Sequence, residues 1–107
     1  MTQSFYNKLV RDLIPEIINQ SGRTCKAVTL NDAEYKRALL EKLLEECQEA
    51  INADDDGLIM ELADLVEVIE AILKFENVSI DYFYKLKERK KLERGGFEKR
   101  LSLVWSD

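Results

Sequence analysis

The strongest constraint on the fold lies in residues 41–74, which contain two amphipathic stretches separated by the acidic segment 54–57. In each stretch, apolar residues recur at the three- and four-residue spacing of an α-helix. A short segment rich in Asp and ending in Gly is typical of a turn followed by the start of a helix. The pattern therefore predicts two antiparallel helices joined by a tight connection.

Four carboxylates are spaced so that they can meet across the groove between these two helices. Glu46 and Glu49 are three residues apart and share one face of the first helix. Glu61 and Asp64 have the same spacing in the second helix. In a hairpin folded about residue 55, Glu49 lies level with Glu61, and Glu46 lies level with Asp64. The sequence predicts an acidic cluster between the helices.

The second helix places its two acids on its apolar side. At about 100° per residue, Glu61 and Asp64 point the same way as the apolar residues that should face the first helix. Acids placed there repel one another and lose hydration unless a positive group compensates. A divalent cation supplies that compensation better than solvent does. The apolar residues of this stripe are Leu58, Leu65, Val68 and Ile72.

The first helix has a less clear relation between its acids and its apolar stripe. Glu46 flanks the predicted stripe, whereas Glu45 and Glu49 lie further round the helix. We therefore expect a partner helix or a second subunit to close the acidic site. The predicted stripe comprises Leu40, Leu43, Leu44, Cys47 and Ile51.

Helix-capping signals set the bounds of the other helices. Asp12 and Gly22 bound a short predicted helix. Asn31, with Glu34 three residues later, forms a capping box at the start of the long first helix of the hairpin. Ser79 caps a further helix that runs into a basic stretch.

Two segments outside the helices have a β-like composition. Residues 25–30 and 99–105 predict short extended segments that pair with each other. The expected fold is otherwise all-α, a helical bundle formed by a single domain over residues 1–107.

Composition excludes several classes of protein. The net charge of −5 argues against non-specific binding to nucleic acid. The absence of histidine removes the Ser-His and Cys-His triads and leaves carboxylates, lysine, tyrosine or metal-activated water for acid–base chemistry. Cys25 and Cys47 lack metal-site spacing, and without a signal peptide they fit a reduced, cytoplasmic protein. No apolar run approaches the ~20 residues of a membrane span.

Carboxylates without nitrogen or sulfur ligands favour Mg²⁺, with Mn²⁺ as the alternative. The charges between residues 85 and 100 are mostly basic, and Lys8 and Arg11 precede the first helix, where a phosphate can meet cations and free backbone N–H groups. An acidic, metal-binding centre with cations nearby suits a polyphosphate substrate. The predicted reaction class is hydrolysis of a phosphoanhydride.

The acids Glu45-Glu46-x-x-Glu49 and Glu61-x-x-Asp64 resemble the EExxE…ExxD signature of the MazG-like all-α nucleoside triphosphate pyrophosphohydrolases. Residues 6–18, YNKLVRDLIPEII, and residues 91–103, KLERGGFEKRLSL, are similar to a small single-domain branch of that superfamily. This superfamily also contains phosphoribosyl-ATP pyrophosphohydrolase. The spacing between the two acidic motifs here is slightly shorter than the usual one.

The resemblance implies a house-cleaning enzyme that uses Mg²⁺ to cleave a nucleotide between its α and β phosphates. It also implies a homodimer or homotetramer. It assigns the metal ligands to Glu46, Glu49, Glu61 and Asp64. Glu45 becomes a water-orienting acid that can exchange roles with Glu46. We extend the phosphate contacts to Lys8, Arg11, Arg94, Lys99 and Arg100.

A second hypothesis keeps the acidic groove without catalysis. The chain would then be a helical dimerisation or regulatory module that binds a metal or nucleotide without turnover. A nucleic-acid binder is disfavoured, because Glu88, Glu93 and Glu98 interrupt the basic stretch. No motif for reading a nucleobase is present, so the base and sugar of the substrate stay open.

Overall fold

Four helices make up the computed structural model, which describes residue 3 and residues 6–107. No strand is present in those described residues, so the all-α class is confirmed. The helices are α1 (Ile14–Gln20), α2 (Asp32–Asn52), α3 (Asp55–Phe75) and α4 (Ile80–Arg94).

Helices α2 and α3 form the predicted antiparallel hairpin, with Ala53 and Asp54 as the whole connection between them. The capping box at the start of α2 is also confirmed. The Glu34 backbone N–H donates to Asn31 Oδ1 at 2.9 Å, and the Asn31 backbone N–H donates to Glu34 Oε1 at 3.2 Å. At the start of α3, the Gly57 backbone N–H donates to Asp54 Oδ1 at 2.7 Å. These contacts satisfy N–H groups that have no partner within the helix.

The core lies between α2 and α3, which pack along their length. Leu39 of α2 and Val68 of α3 are buried, at 2% and 8% exposure. Tyr35 and Phe75 meet edge to face near the open end of the hairpin, with ring centroids 5.5 Å apart. The stripe predicted for α3 is confirmed, since Leu58, Leu65 and Ile72 are all partly buried. The buried apolar interior is nevertheless small.

The apolar stripe predicted for α2 is correct for Leu43 and Cys47, which are partly buried, and wrong for its other members. Leu40, Leu44 and Ile51 are 50%, 61% and 80% exposed, whereas Leu39 and Glu46 face α3. Helix α2 has two adjacent apolar stripes one residue apart. Periodicity alone does not determine which of them faces α3.

The short helix α1 begins later than predicted. Its N-cap position is Leu13, in a helical conformation, and no side chain caps it. Asp12 therefore lies one residue too early to cap the helix. Gly22 ends this segment as expected, at φ +85°, a conformation that glycine adopts without strain.

The predicted pairing of residues 25–30 with 99–105 is absent, because neither segment is a strand. An isolated two-stranded ribbon is marginal unless it packs on another layer, and α4 and the tail do not provide one. Ser79 caps α4 by accepting from the Tyr82 backbone N–H at 3.1 Å, and Gly95 ends it at φ +84°. The radius of gyration is 18.3 Å, against about 13 Å for a compact chain of this length.

Candidate metal centre

Three carboxylates from the two hairpin helices converge on one point. Glu46 of α2, with Glu61 and Asp64 of α3, each place one oxygen within 4.8 Å of the other two. The sequence predicted four converging acids. Glu49 is exposed and lies outside this set, although it is near enough to act on the charge of Glu46. The helical turn from 46 to 49 carries it towards solvent.

Glu46 is the most buried acid of the cluster, at 6% exposure. Its Oε2 atom and Glu61 Oε2 are both buried, and neither has a hydrogen-bond partner among the described residues. Burial raises the pKa of Glu46 above its usual value, and repulsion from Glu49 adds to this. Unpartnered buried carboxylate oxygens are rare, because each loses its hydration without compensation.

Glu45 lies beside the cluster but is held by two lysines. Lys8 Nζ donates to its Oε1 at 2.9 Å, and Lys42 Nζ donates to its Oε2 at 3.2 Å. The hydrogen bond from Lys8 is the main reason that the pKa of Glu45 is lowered. The same bond raises the pKa of Lys8. A carboxylate in this setting is a weaker base than Glu46.

Lys42 is a site residue that the sequence reasoning missed. Its Nζ also lies 3.4 Å from Glu46 Oε1, and the Lys42 side chain is only 18% exposed. It precedes Glu45 by three residues and Glu46 by four, the spacing at which opposite charges meet on a helix. That spacing was the signal available in the sequence.

Two of the predicted phosphate-binding cations lie at the cluster. Arg11 Nη2 donates to Asp64 Oδ1 at 2.7 Å, and Lys8 contacts Glu45 as described. Both residues belong to the segment before α1. The other three candidates are exposed and form no ion pair with the cluster in the described part of the chain, so their role stays a prediction. They are Arg94, Lys99 and Arg100.

The donor set fits a hard divalent cation. Three carboxylates supply only oxygen ligands, which Mg²⁺ and Mn²⁺ prefer, and two buried oxygens lack any other partner. The Asp64 side chain is 44% exposed, so water reaches this part of the cluster, and Mg²⁺ normally retains water in its shell.

Comparison with known proteins gives one partial relative. The chain is 50% identical, over 54 residues, to an uncharacterised protein of Mycolicibacterium smegmatis. The match covers 50% of this chain and 55% of the relative, so the chain spans about half the length of the curated relative it matches. No family model matches the chain. No solved structure matches it either.

The described residues contain no helix that could span a membrane. None of their helices combines the length and the apolar character that crossing a bilayer requires.

Proposed function

We propose that this chain is a metal-dependent nucleotide pyrophosphohydrolase, which cleaves a nucleoside triphosphate or a related nucleotide between its α and β phosphates. The products are a nucleoside monophosphate and pyrophosphate, and the role is house-cleaning of unwanted nucleotides. The proposal includes Mg²⁺, or Mn²⁺ in its place, a cytoplasmic location and assembly as a homodimer or homotetramer.

One observation supports this function above the others. Glu46, Glu61 and Asp64 bring their oxygens within 4.8 Å of one another, and Glu46 is buried with one oxygen unpartnered. A solvated patch of acids would spread its charges and keep them hydrated. Concentrating and desolvating these acids is unfavourable, and a bound cation would relieve both the repulsion and the loss of hydration. We infer the reaction itself from the resemblance of both acidic motifs to the pyrophosphohydrolase signature.

The acids at and beside the cluster would have different roles, because their surroundings differ. Glu46, Glu61 and Asp64 would hold the cation, with Glu49 beside them in solvent. When bound, Mg²⁺ neutralises charge on phosphate oxygens and makes a water more acidic. Glu45, which Lys8 and Lys42 hold beside these ligands, would orient the water or exchange this role with Glu46.

The cations beside the cluster would bind the polyphosphate. Lys8 and Arg11 reach the acids from the segment before α1, so a phosphate that replaces their carboxylate partners finds two donors in place. Arginine binds phosphate oxygens in pairs, and lysine contributes a point charge. Phosphate binding would also involve Arg94, Lys99 and Arg100 only if α4 and the tail lie near an acidic cluster, in the same copy or in another.

Pyrophosphate release from a panel of nucleotides tests the proposal. We expect release with Mg²⁺ or Mn²⁺, and loss of at least about 100-fold in Glu61→Gln and Asp64→Asn, which keep the shape but remove a ligand charge. Glu67→Gln is the matched control, because Glu67 is an exposed acid on the same helix. Turnover that survives in both cluster variants, or in excess chelator, would refute the role.

The same panel separates the enzyme from a binding module. Mg²⁺-dependent nucleotide binding without pyrophosphate release from any nucleotide would favour the catalytically inactive regulatory module. The ion pairs of Lys8 with Glu45 and of Arg11 with Asp64 are compatible with both functions, so the pyrophosphate assay decides between them.

A further inference from the structure

Glu45 and Glu46 are neighbours on α2, but their carboxylates have different surroundings. Both oxygens of Glu45 are paired with lysines, since Lys8 Nζ lies 2.9 Å from Oε1 and Lys42 Nζ lies 3.2 Å from Oε2. Glu46 has one oxygen beside Lys42, at 3.4 Å, while its Oε2 is buried without a hydrogen-bond partner among the described residues. Of the two glutamates, Glu46 is therefore the one with an oxygen free for a cation.

Lys42 fixes the orientation of both glutamates from within the same helix. It precedes Glu45 by three residues and Glu46 by four, so the helix itself brings the three charged groups together. The Lys42 side chain is 18% exposed, and an ion pair shielded from water is stronger than one at the surface. By pairing with one oxygen of each glutamate, Lys42 leaves Glu46 with one oxygen for the acidic cluster.

Lys8 holds the other oxygen of Glu45 through a contact of a different kind. It belongs to the segment before α1, 37 residues from Glu45 in the sequence, and its side chain is 47% exposed. No helix geometry maintains this pair, and solvent competes for the ammonium group. Of the two lysines, Lys8 is therefore the one that a phosphate can draw away while Glu45 stays in place on α2.

The two lysine contacts keep Glu45 out of the acidic cluster. A carboxylate with a charge-assisted hydrogen bond to each oxygen must break one of these bonds before it can bind a cation. Among the described residues, the clustered oxygens come from Glu46, Glu61 and Asp64, and Glu45 is not in that set. Loss of the Lys8 contact would free Glu45 Oε1, whereas Lys42 would still hold Oε2. Glu45 would then have one free oxygen, as Glu46 has in the substrate-free chain.

We propose that Lys8 is a positioning residue, which keeps Glu45 from binding the metal until substrate arrives. In the substrate-free chain, Glu46 is the ligand, and lysines occupy both oxygens of Glu45. A substrate phosphate takes Lys8, and Glu45 Oε1 becomes free beside the cation, to bind it or to orient a water. This inference rests on the proposed function, and within that function it gives Glu46 and Glu45 different roles.

Calorimetric titration of the substrate-free chain with Mn²⁺ tests the role of Lys8. Glu45→Gln should leave the dissociation constant within about threefold of wild type, because Glu45 is not a ligand in that state. Lys8→Met should lower it by about tenfold, because Oε1 is freed and binds the ion. In Lys8→Met/Glu45→Gln this gain should disappear. Lys36→Met, which breaks an exposed pair with Glu76, is the matched control and should bind Mn²⁺ like wild type.

The number of waters on the bound Mn²⁺ distinguishes a new ligand from a change of charge alone. Broadening of the Mn²⁺ electron paramagnetic resonance signal in isotopically labelled water counts them. Lys8→Met should have one water fewer than wild type, because Glu45 Oε1 replaces it, and Lys8→Met/Glu45→Gln should regain it. Titrations repeated at about 1 M salt, where the Debye length is about 3 Å, screen long-range charge effects and retain the effect of a ligand.

Turnover tests the release of Glu45 by substrate. Glu45→Gln should lower kcat by at least about tenfold, although its Mn²⁺ affinity without substrate is nearly that of wild type. Glu41→Gln, a change to an exposed acid on the same helix, should alter neither quantity.

Three results would overturn the proposal. They are a Lys8→Met variant with the Mn²⁺ affinity and water count of wild type, a Glu45→Gln variant with unchanged kcat, and a Glu45→Gln variant that binds Mn²⁺ at least about tenfold more weakly without substrate. In each case the wild-type chain still binds Mn²⁺ and releases pyrophosphate, so the proposed function stands. A wild-type chain that does neither refutes both.

Discussion

The guanidinium of Arg11 lies 2.7 Å from Asp64 Oδ1, which places a cation of the N-terminal segment on one of the three clustered carboxylates. Arg11 and Asp64 are 56% and 44% exposed, so solvent weakens the pair. A metal ion bound by Asp64 would share this carboxylate with Arg11 or displace it. The segment before α1 and the candidate metal site are therefore linked through the Asp64 side chain.

Arg11→Ala should strengthen the binding of Mn²⁺ to the substrate-free chain by about two- to fivefold, because an exposed ion pair contributes about 0.2–1 kcal/mol that the metal must otherwise replace. Isothermal titration calorimetry measures this. With nucleotide present, the same variant should lose turnover, since a phosphate ligand is removed. Arg37→Ala removes an exposed pair with Glu41 far from the cluster and should change neither quantity. Weaker Mn²⁺ binding in Arg11→Ala would contradict the competition.

Glu46→Gln should make the metal-free chain more stable and abolish its stabilisation by metal. The neutral amide avoids the desolvation that raises the pKa of Glu46. Since that raised pKa means the folded chain binds a proton more readily than the unfolded chain, the contribution of Glu46 to the free energy of unfolding rises as the pH falls towards its ordinary value of 4.5. The variant should lose this dependence.

Thermal melts of wild type and Glu46→Gln in chelator and in Mg²⁺, each at several pH values, check this behaviour. Glu67→Gln on the exposed face of α3 is the control and should melt like wild type. Equal stabilisation of wild type and Glu46→Gln by Mg²⁺ would exclude Glu46 as a ligand.

Lys42→Met should destabilise the metal-free chain by about 1–2 kcal/mol, because it removes the cation beside Glu45 and the buried Glu46. Lys36→Met breaks a solvent-exposed pair with Glu76 and should cost less, within about 0–1 kcal/mol. Urea denaturation in the presence of chelator gives both values. A Lys42 variant as stable as wild type would show that its two contacts contribute little.

Leu39→Ala should lower the free energy of unfolding by about 2–5 kcal/mol, because Leu39 is the most buried side chain of the small core, at 2% exposure. Leu92→Ala removes the same atoms from a position that is 88% exposed, and should change it by less than about 0.5 kcal/mol. Chemical denaturation at constant protein concentration gives the comparison. Similar losses in both variants would place the core elsewhere.

Local sequence signals predicted the hairpin correctly. The Asn31–Glu34 capping box and the acidic turn over residues 54–57 each depend on residues within a few positions of one another. The two inward acids of α3 could be placed for the same reason, since one helix face fixes them relative to its apolar stripe. Capping and periodicity were sufficient for these features.

Features that depend on distant contacts were harder to predict. The predicted α2 stripe, which runs from Leu40 to Ile51, includes three exposed residues, because two apolar stripes compete on that helix and only packing against α3 selects one. The outward position of Glu49 follows from the same rotation. The contacts of Lys8 and Arg11 join residues 37 and 53 positions apart, and no local pattern indicates such pairs.

The connection between α2 and α3 is only two residues long, Ala53 and Asp54. This two-residue connection is too short to form a flap over the acidic cluster. In the described chain, Lys8 and Arg11 form ion pairs with acids of the hairpin. Residues 8–11 are connected to the hairpin through α1 and the segment that follows it. Under the proposed function, a bound phosphate would take over Lys8 and Arg11 from their carboxylate partners, while the two long helices keep their positions.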